Sequence, residues 1–364
     1  MKRESVRMSS ALRRVWAIVA KDSVDAIKSN TTISIILGTL MMVVTSQALP
    51  LLLSASGDLH LVVYDPADSR LVQALAESEG LHTVVVDSQE ELAERLVTIG
   101  MKGMGLVVPV DFDDALVSGD GAEIQGYVVW ARRGNASDLK AEVERHAERL
   151  LGQSISVDVE GNLVYPMSGS AGVLSMFQST FVLQLLVVGA FVVSYLMFEE
   201  KEAKTIHVLL VSPATVSEVI AGKAATGVFY CGIAAVVGLV FGWAAVVNWG
   251  VVALVTAAIV LLAVGLGLLF GTLFDNPRQM SLWAAVPMLV LVVAMLGDEL
   301  LVNASPVLAG IVRVLPTVAA VEGLQYAFLG DGSVLDALPQ VAVVLAWTVP
   351  LYGIVVAKVR RLDR

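Results

Sequence analysis

Residues 199–223 read EEKEAKTIHVLLVSPATVSEVIAGK, and the chain is organised around this stretch. It follows one apolar run, 173–198, and leads into another, 217–243. Each is longer than the roughly 20 residues that carry a helix across about 30 Å of hydrocarbon. The charge cluster at 199–204 therefore stands at a membrane boundary. Residues 204–210 are predicted to form a short amphipathic helix, with Glu200 four residues ahead of Lys204 in the favourable orientation. Ser212-Pro213 ends it, because proline lacks an amide donor and restricts the residue before it. Thr215 and Glu218 have the spacing of a capping box, so a new helix starts there. A short charged helix between two spanning helices is a docking element at a membrane surface; an ordinary solvated loop is the plainer alternative.

Of the 364 residues, 56 % are hydrophobic and 16 % charged. A soluble domain of this length has no use for so much apolar surface, so the chain reads as an α-helical polytopic membrane protein. The formal charge of −10 is unevenly spread. Residues 56–172 hold 20 acidic and 8 basic residues, a net of −12, which leaves +2 for the remainder. An acidic, water-facing insert thus interrupts a slightly basic membrane body. Its acidity serves solubility or, as the sharper alternative, the collection of cations. No basic stripe or recognition motif suggests nucleic acid. Cys231, the single cysteine, falls in an apolar run, which excludes an intrachain disulfide and a cysteine-based metal cluster.

Residues 1–30 combine Lys2, Arg3, Arg7, Arg13, Arg14, Lys21 and Lys28 with Leu12, Val15, Ile18, Val19 and Val24 near helical spacing. That pattern predicts an amphipathic helix lying on the cytoplasmic surface. The apolar run within 31–55 is longer than a signal-peptide core, which favours an uncleaved first span over a cleaved leader. Residues 56–172 alternate strand signals, at 60–64, 83–86, 104–108 and 127–130, with helix signals. The helices are expected after Asp65-Pro66, after Ser88-Gln89-Glu90-Glu91, and over 138–151. This predicts an inserted extracytoplasmic α/β domain, large enough to fold on its own core. Residues 173–364 supply five further spans, at 173–198, 217–243, 251–274, 280–301 and 338–359, for six in all.

With six spans, Lys201, Lys204, Lys223, Arg278, Lys358, Arg360, Arg361 and Arg364 all fall on the side of the basic leader. The positive-inside rule then places both termini and residues 199–213 in the cytoplasm, and the acidic insert outside. Trp243 and Trp249 flank the short loop on the outer side. Residues 303–329 tempt a seventh span but contain Pro306, Arg313, Pro316 and Glu322. A crossing there would also put Arg360 and Arg361 on the wrong side. Two short helices re-entering from the outer face, broken near Pro316, fit better.

The loop between the second and third spans carries Glu200, Lys201, Glu202 and Lys204, then Thr205, Leu209-Leu210, Ser212-Pro213 and Gly222-Lys223. It resembles the corresponding loop of ABC type-2 exporter permeases. The paired re-entrant element before the last span extends the resemblance over nearly the whole chain. The resemblance implies that 199–213 carries a coupling helix that docks on a cytoplasmic ABC ATPase. It further implies two permease subunits, identical or different, with two ATPase copies in the plasma membrane, exporting substrate when ATP closes the ATPase pair. In that family the first, second and fifth spans line the path. Relatives move drugs, lipids, glycans or sodium ions, and this sequence does not choose among them.

No phosphate-binding loop is present, because Gly222-Lys223-Ala224 lacks both the upstream glycine and the hydroxyl residue that holds magnesium. ATP and magnesium therefore belong on the partner ATPase; this chain is expected to bind no cofactor or metal and not to be an enzyme itself. His60, His82, His146 and His207 are scattered, without an H-E-x-x-H pair. Candidates for the translocation path are polar residues inside spans: Ser46 and Gln47, Gln178 and Gln184, and Asp298 at the end of the fifth. Hydrogen-bonded glue between helices suits the same residues equally well. Pro316 and Glu322 mark the re-entrant element. Gly238 and Gly242, and Gly267 and Gly271, are each four apart and permit close helix contact, within the chain or between subunits. There is no ladder of membrane carboxylates, which argues against a proton-driven pump. Two rivals remain: a sensor or assembly protein acting through the acidic domain without transport, and a membrane enzyme. The docking loop speaks against the first, and the lack of a nucleophile, base or metal set against the second.

Overall fold

The apolar runs form long helices and the acidic insert forms a helix-flanked sheet in the computed structural model. It describes Trp16 and residues 19–21, 29–55, 59–76, 78, 80–98, 103–118, 122–165, 173–202, 216–296 and 306–362. The first long helix is α1 (Asn30–Ala55). It is followed by β1 (Leu59–Tyr64), α2 (Arg70–Ala76), β2 (Leu81–Val86), α3 (Gln89–Thr98), β3 (Gly103–Val107) and α4 (Phe112–Ser118). Next come β4 (Glu123–Val129), a 3-10 helix (Trp130–Asn135), α5 (Ala136–Leu151), β5 (Ser156–Asp158) and β6 (Leu163–Val164).

The strands lie in the order β2, β1, β3, β4, β5, with β6 also paired to β4. β1 runs parallel to β2 and β3, and β3 antiparallel to β4. The near-continuous apolar run of β1, LHLVVY, reflects cover on both faces of the sheet. Leu61 and Val63 enter a core with Leu71, Leu75, Val143 and Ala147. Val62 points the other way, into a core with Leu92 and Leu96.

Local chemistry decides where these helices start. Ser88 Oγ accepts from the Glu91 amide at 3.1 Å, and the Glu91 carboxylate accepts from the Asp87 amide at 3.2 Å. That is the reciprocal logic of a capping box, with the return bond falling one residue early. At Asp65-Pro66 the helix expected at once is delayed to Arg70. The Asp65 carboxylate instead accepts from Ala67 N at 3.1 Å and Ser69 N at 2.6 Å, holding a turn in which Asp68 has φ 51°. Side-chain-to-backbone bonds of this kind compete directly with the first helical turn.

The membrane part begins with α6 (Val173–Val187), which runs through a π-helical segment (Val188–Val192) into α7 (Val193–Glu202). Then follow α8 (Val216–Gly242), α9 (Trp249–Leu273), α10 (Pro277–Leu296), α11 (Pro306–Arg313), α12 (Pro316–Gln325) and α13 (Leu338–Leu362). Among the described residues five helices are long and apolar enough to cross a membrane: the continuous α6–α7 rod, α8, α9, α10 and α13. α1 adds a shorter apolar stretch, Thr32–Ser46. α9 is the central one, packed against α6, α7, α8, α12 and α13.

Two glycines let the rod close on its neighbours. A Cβ at Gly267 of α9 would stand 2.5 Å from Gly189 O, and one at Gly242 of α8 would stand 2.2 Å from the Phe177 ring. Gly238 and Gly271 likewise face Phe181 and Met197 of the rod, so all four glycines pack within the chain. α10 and α13 keep apolar faces outward, with Leu282, Trp283, Val286, Val349 and Ile354 exposed. α11 and α12, at 8 and 10 residues, are about 12 and 15 Å long and too short to span. Pro316 opens α12 at its first turn, where the missing amide costs nothing. Thr317 Oγ1 donates to Leu291 O and Trp347 Nε1 to Val314 O, each at 2.9 Å, which ties the pair to α10 and α13.

Candidate functional site at the two ends of the membrane body

One end of the helix set gathers charge. Ser29 Oγ, just before α1, donates to Glu199 Oε1 in the last turns of α7. Lys201 Nζ donates to Phe274 O at 2.6 Å and lies 3.8 Å from Asp275 Oδ1. Phe274 is the C-cap of α9, where exposed carbonyls favour a cation. Burial lowers the Lys201 ammonium below its ordinary 10.5; Asp275 raises it in part, and Lys358 near the end of α13 lowers it. Four parts of the chain, namely residue 29, α7, the α9–α10 turn and the end of α13, therefore share this face.

In the sequence Lys223 is half of a Gly-Lys pair and one of the basic residues at the span ends. Its side chain is 2 % exposed, and Nζ donates to Leu196 O at 3.1 Å. Lys201, before residues 203–215, thus ties α7 to the end of α9, and Lys223, after them, ties α8 back to α7. The expected coupling residues Lys204, Thr205, Leu209, Leu210, Ser212 and Pro213 lie outside the described residues. Glu200 and Glu202 fall in the last turn of α7.

The path candidates do not form one cluster among the described residues. Gln178 and Gln184 of α6 are buried, at 4 % and 2 %. Gln184 Nε2 donates to Ala234 O of α8 at 2.8 Å, an interhelical tie. The Oε1 atoms of both glutamines are enclosed without a donor. Ser46 Oγ turns back to Val43 O of its own helix at 3.0 Å. Gln47 lies in α1, and Asp298 lies outside the described residues. Glu322 of α12 sits 3.8 Å from Arg313 of α11, so the Pro316 break is bridged by an ion pair. Ser194, which the sequence reading passed over, stands 2.6 Å from Ala190 O and 2.9 Å from Gly267 O, joining the π segment to α9.

The opposite end carries the α/β unit. Arg133 Nη1 donates to Ala244 O in the turn after α8. The Tyr165 ring stacks on Trp130 at 5.2 Å and closes over Gly330. Asn248 caps α9 by accepting from Gly250 N and Val251 N, and its side-chain amide donates to Gly332 O at 3.1 Å. His60 and His82, far apart in sequence, are register partners on β1 and β2, with rings 4.9 Å apart. Among the described residues no three His, Cys, Asp or Glu side chains converge as a metal site.

Long apolar helices with a charged end and a domain-bearing end define a polytopic membrane protein of sided construction. The family model described as ABC-2 family transporter protein matches residues 31–358, and the chain belongs to that family. The match runs from α1 through the α/β unit and into α13. No curated protein and no solved structure matches the chain. Family membership makes the chain a component of membrane transport.

Proposed function

We propose that the chain is the permease subunit of an ATP-binding cassette exporter. Two such subunits would work with two copies of a cytoplasmic ATPase that holds ATP and magnesium. The observation that carries this is the bracket around residues 203–215, with Lys201 on Phe274 O and Lys223 on Leu196 O, in a member of the ABC-2 family. The helices that flank this segment, α7 and α8, are tied to the end of α9 and to each other, so a push on either is passed to the helices packed on them. In this reading α1 is the first of six spans, both termini and the bracketed segment are cytoplasmic, and the α/β unit is outside. α11 and α12 are the re-entrant pair. Ser46, Gln47, Gln178, Gln184 and Asp298 are the polar positions nearest to a path, and the substrate is to be found by ATPase stimulation with drugs, lipids and sodium.

Leu209→Asp with Leu210→Asp tests the assignment. The change lies outside every span, so membrane levels are expected to stay normal. Unpaired carboxylates in the docking groove would cost several kcal/mol of association. The co-purified ATPase and export are therefore expected to be lost. Retention of both ATPase binding and substrate-stimulated hydrolysis would overturn the coupling role and, with it, the exporter reading.

A further inference from the structure

Among the described residues, Arg132 at the end that bears the α/β unit has an enclosed guanidinium nitrogen with no hydrogen-bond partner. In the 3-10 helix Trp130–Asn135, Arg133 is fully engaged. Its Nη1 donates to Trp130 O at 2.8 Å and to Ala244 O, and its guanidinium lies 3.9 Å from the Trp130 ring centroid. Its neighbour Arg132 is not. Arg132 Nη1 is enclosed and donates to nothing, and burial pushes the guanidinium down to about 10 with no carboxylate opposing the shift. Trp130 Nε1 is likewise enclosed without an acceptor. One six-residue turn therefore holds an uncompensated cation and two idle donors, an arrangement that is costly unless a negatively charged oxygen group completes it.

The height of the turn says where that group comes from. Ala244, which Arg133 grips, follows Trp243 at the end of α8, and Trp249 opens α9. Both indoles are exposed, at 62 % and 52 %, in the position such rings take at the headgroup level of a bilayer. The turn thus stands where lipid phosphates lie. Residues 56–172 carry a net charge of −12, which repels free anions from this end, whereas a lipid arrives along the membrane. Arg132 and Trp130 are each only partly buried as whole residues, so a headgroup reaches the two enclosed nitrogens once these side chains turn toward their exposed side.

We propose that Arg132, with Trp130 Nε1 in the same turn, binds the phosphate group of an anionic lipid in the leaflet on this face. The planar guanidinium matches two phosphate oxygens at once, and the indole N–H supplies a third donor. The phosphate would seat the α/β unit on the membrane by completing the turn that grips Ala244. This inference rests on the membrane nature of the chain and not on its partner ATPase or the direction of transport.

The test uses the full chain, stripped of lipid in a neutral detergent, with thermal unfolding followed during titration with phosphatidylglycerol, phosphatidylcholine or inorganic phosphate. Phosphatidylglycerol is expected to raise the wild-type Tm saturably, and phosphatidylcholine to leave it unchanged. In R132Q the phosphatidylglycerol midpoint should move up about tenfold, the loss expected for one charged hydrogen-bonding pair. W130F should show a smaller shift in the same direction. Without lipid, R132Q should melt no lower than the wild type, because an unmatched charge has been removed; a purely structural arginine would give a lower Tm with and without lipid, and that result overturns the proposal. So does a wild-type response that R132Q retains in full, or no response at all. Inorganic phosphate reproducing the whole rise would overturn the lipid assignment in favour of a free-anion site. Should R132Q fail to fold, R132K, which keeps the charge but loses the planar fork, is expected to show the raised midpoint, and an unchanged midpoint there overturns the proposal.

Discussion

Gly267→Ala adds a single methyl where α9 crosses the π segment, and its cost can be worked from the contact. The added Cβ would stand 2.5 Å from Gly189 O, 2.8 Å from Val193 Cβ and 2.9 Å from Ala190 O, against an ordinary contact of 3.4 Å or more. Two of those three atoms are backbone, so no rotamer change relieves them. The helices must part by close to 0.9 Å, the gap between 2.5 and 3.4 Å. Overpacking of this kind costs about 1–3 kcal/mol. The separation also weakens the Ser194 Oγ to Gly267 O bond of 2.9 Å, worth on the order of 0.6 kcal/mol inside a membrane protein. Alanine returns up to about 1 kcal/mol through its better helix propensity. With the full propensity gain subtracted, the balance is a net loss of about 0.6–2.6 kcal/mol, the clash outweighing the gain. The assay is reversible unfolding of the purified chain in mixed micelles, followed by circular dichroism. Gly232→Ala in α8 is the control, because nothing lies within 4 Å of its added Cβ, and it should be neutral or stabilising. A Gly267→Ala protein as stable as the wild type, or a control that loses as much, would refute the packing argument.

Residues 56–172 expressed alone are expected to show a cooperative thermal transition. Within that unit Leu106→Ala, at a fully enclosed position, should lower its stability by about 2–5 kcal/mol; a coil-like circular dichroism spectrum would deny the unit its own core. Gln184→Leu removes one tie to Ala234 O together with an unmatched carbonyl, so its unfolding free energy should change by less than about 1 kcal/mol. A loss well above that would show that the Gln184 carbonyl has a partner in the membrane. Lys201 supplies a pH signature. Because burial holds its folded pKa below 10.5, the unfolded chain binds more protons in the window just under that value, and its contribution makes stability rise with pH there. Lys201→Met should flatten that part of the stability curve, and an unchanged slope would place the ammonium in solvent.

Much of the architecture could be read from local chemistry. The alternating signals at 60–64, 83–86 and 104–108 fall in β1, β2 and β3, and the spaced glycines of α8 and α9 mark where the α6–α7 rod packs. What escaped depends on partners distant in sequence or on shape. His60 meets His82 only because β1 and β2 pair in parallel across a helical crossover, and no spacing rule shows that register. Lys223 looked like a boundary lysine, yet its reach to Leu196 O requires α8 to lie against α7. Asp65-Pro66 misled because the carboxylate serves two amides of a turn as readily as a helix start. The idle donors of Arg132 and Trp130 had no sequence signal at all, since an Arg-Arg pair after a strand looks like ordinary surface.

The π segment at Val188–Val192 sets a phase offset within one rod. A π turn holds one residue more than an α turn, and each α residue advances the helix by about 100°. Side chains beyond the segment are therefore rotated by that angle from where an unbroken helix would aim them. Ser194 meets Gly267, Glu199 meets Ser29 and Lys201 meets the end of α9 only with this offset in place. Deleting one residue from 188–192 would restore an even pitch and swing all three contacts about a quarter turn away, while Gln184 and its bond to Ala234 stayed where they were. The rod is thus geared in two halves, and the indexing between them is carried by a single inserted residue.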